Sequence, residues 1–136
     1  MKLIALFLVT GLCAFVLDML WLGLLAKNLY AENIGLLLRK SGAEMTPIWW
    51  SAAIVYICIS LAILYFVLPS AQGNYLQALM GGVMLGLVTY GIYDFTNYSI
   101  LAHWTLKITL IDVIWGMVLC GVTSLLSFFI QNRFFS

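Results

Sequence analysis

The hydrophobic positions along this chain gather into four long runs separated by short polar stretches. Each run is close to the roughly 20 apolar residues needed to cross the hydrocarbon of a bilayer. The pattern predicts membrane-spanning helices near residues 3–26, 47–69, 76–97 and 107–130. The longest connection, residues 27–46, is too short to hold a soluble domain. The first run follows Lys2 and superficially resembles a signal peptide. It is too long for one, contains Asp18 and lacks a clear small-residue cleavage site before Lys27, so it reads as a retained helix. The expected fold is all-α: a polytopic membrane protein with four transmembrane helices in a compact antiparallel bundle, one domain over residues 1–136.

Composition agrees with the pattern. Of 136 residues, 65% are hydrophobic and 8% charged, and the mean hydropathy is +1.11. Soluble domains carry about 25% charged residues, so this composition cannot build a water-facing surface. Membrane lipids are therefore the expected surroundings. A net charge of +1 leaves no basic face for nucleic acid. Cys13, Cys58 and Cys120 each lie inside an apolar run and form no CxxC pair. They read as small packing residues rather than a redox or zinc site, and neither metal nor cofactor is expected.

Four spans put both termini on one side of the membrane. That side carries Lys2 and Arg133, whereas Lys27, Arg39, Lys40 and Lys107 lie on the long-loop side. The basic excess favours a cytoplasmic long loop and external termini, with a dual-topology arrangement left open. Within the loop, NIGLLLRK (residues 33–40) suits a short helix in the headgroup region as well as an ordinary connector. Trp49, Trp50 and Trp104 fall at the same boundary and are expected to be interfacial anchors.

Outside the loops there are three carboxylates, Asp18, Asp94 and Asp112, each within a predicted span. At about 1.5 Å of rise per residue they lie roughly 12, 5 and 8 Å from the long-loop end of their helices. Three helices thus bring an acid into one third of the bilayer. A charge at such depth costs a few kcal/mol, so all three are expected to face the bundle interior. The helix faces agree. Gly82, Gly86, Tyr90 and Asp94 follow at intervals of four, as do Asp112, Gly116, Cys120 and Ser124. Gly11, Ala14, Asp18 and Trp21 follow at steps of three and four. Residues so spaced share a face, and small ones admit a neighbouring backbone.

DMLW (residues 18–21) and DVIW (residues 112–115) repeat one motif on antiparallel helices. Asp18 should meet Trp115 and Asp112 should meet Trp21, each indole donating to a carboxylate. Tyr93, Thr96 and Asn97 add polar groups around Asp94. The expected ligand- or proton-binding set is Asp18, Asp94, Asp112, Asn97, Trp21, Trp115, Tyr90 and Tyr93. The spans contain no basic partner, although Lys27 and Lys107 are placed to snorkel toward the acids. At least one acid is expected to hold its proton at neutral pH. The competing reading is a satisfied polar network that fixes helix packing and binds nothing. His103, in the last connection, reads as a solvated loop residue, with a proton-relay role as its alternative.

DMLWLG at residues 18–23, YGIYDFTN at 90–97, AHW at 102–104 and DVIWG at 112–116 form a set. It resembles the small bacterial integral-membrane family known as domain of unknown function 2177. That family's pattern is D-x-x-W-L in the first span, YGTYDLTN in the third and D-x-x-W-G in the fourth. Here Ile92 and Phe95 replace the more usual threonine and leucine. The resemblance covers essentially the whole chain. It implies a four-helix, multi-pass protein of the bacterial inner (cell) membrane, and it implies no activity.

Three functions fit these residues. The first is binding or transport of a small cationic or amphipathic molecule at the aspartate cluster, coupled to protons. A homodimer would supply the volume that four helices enclose poorly. The second is a lipid-acting membrane enzyme, for which paired acids would serve as acid and base. The third is a non-catalytic accessory or structural membrane subunit.

Overall fold

In hydrocarbon every backbone N–H and C=O must find its partner within the protein, and an α-helix satisfies them locally. The apolar runs of this chain take that solution. The computed structural model describes residues 1–135. Four helices are long and apolar enough to cross a membrane: α1 (Lys2–Leu25), α3 (Trp49–Ser70), α4 (Tyr75–Ile100) and α5 (Leu106–Phe135). A short helix, α2 (Lys27–Ile34), lies in the long connection. It is followed by a two-residue hairpin, β1 (Lys40–Ser41) against β2 (Glu44–Met45). The fold is all-α and polytopic. Relative to the sequence pattern, α4 runs on to Ile100 and α5 to Phe135, beyond the expected ends at 97 and 130.

Polar residues set the turns. Asn74 caps α4, its side-chain oxygen accepting from the backbone N–H groups of Leu76 (2.8 Å) and Gln77 (3.3 Å). Gly73, with φ of 79°, supplies the left-handed residue that this tight connection needs. Thr105 caps α5 by accepting from the N–H of Ile108 at 3.2 Å.

Helix α5 is the hub: 50% of its apolar span is buried within the protein, against 17–22% for the other three. It packs along α4 throughout and also against α1, which in turn lies on α3. The α4–α5 seam is close because glycines line it. A Cβ on Gly86 would sit 2.1 Å from the Gly116 carbonyl oxygen, and one on Gly82 would sit 2.4 Å from that of Cys120. Helix α1 contributes Leu6, Thr10, Ala14 and Asp18, buried at strict four-residue steps. Thr10 hydrogen-bonds Ser127 of α5 at 2.8 Å.

The cores lie at the two ends of the bundle. Near the α3–α4 turn, Leu6, Ile63, Leu68, Ala78 and Phe128 pack together. At the long-loop end, Ala26, Tyr30, Ile34, Trp104 and Ile108 do so. Contacts between α3 and α4 concentrate at the turn, where Val67 lies over Gly81. Toward the long loop these two helices part.

Two expectations need correction. The loop helix is KNLYAENI, residues 27–34, rather than NIGLLLRK. Tyr30 and Ile34, one turn apart, give this earlier stretch an apolar face to bury, and Gly35 closes it. Trp104 is no interfacial anchor, because it is buried and its indole N–H donates to Thr109 Oγ1 at 3.1 Å. The short 101–105 connection folds it under the bundle, edge-on to Tyr93. Trp49 and Trp50 remain exposed at the start of α3.

Candidate functional site

The four-residue stripe of α1 points Asp18 into the bundle, where it meets donors from two other helices. Trp115 Nε1 on α5 donates to Asp18 Oδ1 at 2.9 Å. Tyr56 Oη on α3 donates to Asp18 Oδ2 at 2.8 Å. Each carboxylate oxygen thus has one partner, and the side chain is buried.

The matching pair at the other end of the repeat is indirect. Trp21 Nε1 donates at 3.2 Å to the Tyr30 hydroxyl, and that hydroxyl donates to Asp112 Oδ1. Helix α2 therefore inserts a tyrosine between the indole and the acid. Burial, and then the adjacent Asp112, push the Tyr30 phenol above its ordinary range, so it serves as a donor. The Trp21 and Trp115 rings stack face to face, 4.6 Å between centroids and 7° between planes. A π-helical turn, Trp21–Leu25, ends α1 at this point, and wide turns of that kind recur next to functional sites.

Asp94, the third acid, is 0% exposed, and neither of its oxygens has a hydrogen-bond partner among the described residues. Its neighbour is Asp112, whose carboxyl lies within side-chain hydrogen-bond reach, a contact between two acids that needs one shared proton to become a bond. Asp18 acts on Asp112 in turn, so the three acids form one group with Asp112 in the middle. None of them faces the outer surface.

Other residues from the sequence set take several positions. Tyr90 is half-buried, its ring covering Gly116 so closely that a Cβ there would come within 2.2 Å. Tyr93 is mostly exposed, and Asn97, half-buried, lies beside it. Thr96 is exposed. His103, Lys27 and Lys107 are also exposed. Among the described residues, no group of three or more metal-ligating side chains is present.

A cleft of about 820 Å³ leads to two of the acids, Asp18 and Asp112, and Asp94 lies behind its wall. Asp18, Asp112, Tyr30 and Tyr90 line its polar end. Ile54, Val55, Cys58 and Ile59 of α3 face Leu85 and Thr89 of α4 along its walls. No lysine, arginine or histidine lines it.

Tyr30 and Tyr56 are the participants that the sequence reading missed. Tyr56 carried a weak signal as one of few polar groups in an apolar span. Tyr30 carried none, because its loop position says nothing about the acid it meets. Removing its hydroxyl strips Asp112 of a donor and Trp21 of an acceptor. Tyr30→Phe is therefore expected to lower stability by about 1–3 kcal/mol, read from detergent unfolding followed by tryptophan fluorescence.

The family described as predicted membrane protein, DUF2177, matches residues 3–129. No curated protein and no solved structure matches the chain. A match over nearly the full length settles the kinship: this chain belongs to the predicted membrane protein family DUF2177.

Proposed function

We propose that this protein binds a small cationic or amphipathic molecule at the Asp18–Asp94–Asp112 cluster and carries it in exchange for a proton. The observation that carries the reading is the cleft that reaches Asp18 and Asp112 without a basic residue on its walls. Two carboxylates in a region of low dielectric attract a cation far more strongly than they would in water. Their present partners, Tyr56, Trp115 and Tyr30, are neutral donors and leave that charge uncompensated. Aromatic rings complete the surroundings, with Tyr30 and Tyr90 beside the acids. Such rings favour an ammonium through their negative faces.

Asp94 gives the proton a place. Asp94 and Asp112 meet inside the bundle, and two carboxyl groups in contact share one proton rather than both ionise. A cation arriving at Asp112 would stabilise the charged form of the pair and release that proton.

The test uses tetramethylammonium as probe and purified protein in weakly buffered detergent. Binding is expected to release protons and to change the fluorescence of the Trp21–Trp115 stack. Asp112→Asn is expected to weaken binding about 10- to 100-fold, the range of roughly 1.5–3 kcal/mol for one charged contact. Asp94→Asn should still bind but release no proton. Failure of both tetramethylammonium and an alkyltrimethylammonium to bind a wild-type protein that is folded and monodisperse would sink the reading, as would equal affinity in Asp112→Asn.

A further inference from the structure

We infer that the ligand is a single-chain ammonium amphiphile that comes from the bilayer, sideways between α3 and α4, rather than a small cation from water. This rests on the cation reading above and specifies its substrate class.

The cleft has a roof and an open side. On the long-loop side Tyr30, Ile34, Leu37, Leu38 and Met45 line it, closing the direction of water. That roof is fastened at two points. Tyr30 hydrogen-bonds Asp112, and Thr105 Oγ1 donates to Asn33 Oδ1 at 3.1 Å. On the lipid side nothing closes the cleft. Helices α3 and α4 meet near their shared turn and diverge above it, and the wall residues Ile54 and Val55 are each 49% exposed. An apolar chain can therefore lie between the two helices while still in contact with lipid.

The head is fixed by charge complementarity. Asp18 and Asp112 stand at the inner end with Tyr30 and Tyr90, and no cation lines any wall. A phosphate or carboxylate head would find repulsion there, whereas an ammonium finds two carboxylates and aromatic faces. The volume, about 820 Å³, suits one ligand of moderate size and far exceeds what a bare cation fills.

Cys58 lines the apolar stretch of the cleft and is exposed, so its native thiol reports on the tail. The experiment uses wild-type protein in lipid nanodiscs and N-ethylmaleimide, with labelling of Cys58 resolved by peptide mass spectrometry. Dodecyltrimethylammonium, tetramethylammonium and dodecyl maltoside are compared, the two alkyl compounds at equal mole fraction. At about ten times its Kd a ligand leaves roughly a tenth of the sites free, so the alkylammonium should slow labelling about tenfold. Tetramethylammonium and the maltoside should leave the rate unchanged.

If the alkylammonium perturbs the tryptophan stack but does not protect Cys58, the chain lies elsewhere. The inference then falls while the cation reading stands. Equal protection by the maltoside would overturn the ammonium assignment. Failure of both ammonium compounds to bind would remove the proposed function itself, and this inference with it.

Discussion

Gly86→Val is expected to be the most damaging single substitution in this protein. A Cβ at position 86 would lie 2.1 Å from the Gly116 carbonyl oxygen, 2.5 Å from its carbon and 2.7 Å from the Met117 Cα. All three are backbone atoms of α5, so no rotamer change can relieve the overlap. Helix α4 would have to back away from the hub helix along the closest seam in the bundle. Overpacking against mobile side chains costs about 1–3 kcal/mol, and a rigid backbone obstacle places this case above that range, about 3–5 kcal/mol. Gly91 supplies the control, because a Cβ there meets nothing within 4 Å. Gly91→Ala should be neutral or stabilising by up to about 1 kcal/mol, the helix-propensity difference between the two residues. Unfolding of both variants in detergent decides the matter. No loss at 86, or an equal loss at 91 where a Cβ has open space, would mean that the close approach does not govern this seam.

The second large effect concerns Asp94, with the opposite sign for stability. A fully buried carboxyl pressed against a second acid, with no N–H or hydroxyl donor of its own, destabilises the fold that contains it. Replacing it by an apolar side chain of similar size removes the desolvation cost. Asp94→Val is therefore expected to stabilise the protein by about 1–3 kcal/mol. The same change should erase the infrared carbonyl band of a protonated carboxyl and end proton release on tetramethylammonium binding. A gain in stability paired with a loss of function is the mark of a group kept for its chemistry. A substantial loss of stability in Asp94→Val would instead identify Asp94 as an ordinary packing element and leave the exchange mechanism without its proton.

Both effects could be sketched from sequence, though only in part. Gly82, Gly86, Tyr90 and Asp94 at intervals of four announced a shared face on α4. The buried residues there are Ala78, Gly82, Gly86 and Asp94. The interval says which residues face together but not how near the partner comes. The 2.1 Å figure belongs to the α4–α5 approach and to no local pattern. The Asp–Trp repeat behaved similarly. Asp18 and Trp115 meet directly, whereas Tyr30 separates Trp21 from Asp112. Helix rise gives depth to about one turn, and depth alone cannot reveal a third side chain arriving from a loop. Trp104 was misread for the same reason: its position at the boundary is compatible with lipid, and only the fold of the connection buried it.

The amino-acid sequence by itself determined the four helices and the inward faces that carry Asp18, Asp94 and Asp112. Both follow from local causes, since lipid forces backbone hydrogen bonds within each segment and makes exposed charge costly. Tertiary structure alone decided which acids are partnered, that α2 delivers Tyr30 to Asp112, and that α3 and α4 part to leave a cleft. Those outcomes depend on how helices remote in sequence rotate and lean against one another. No run of neighbouring residues encodes that relation.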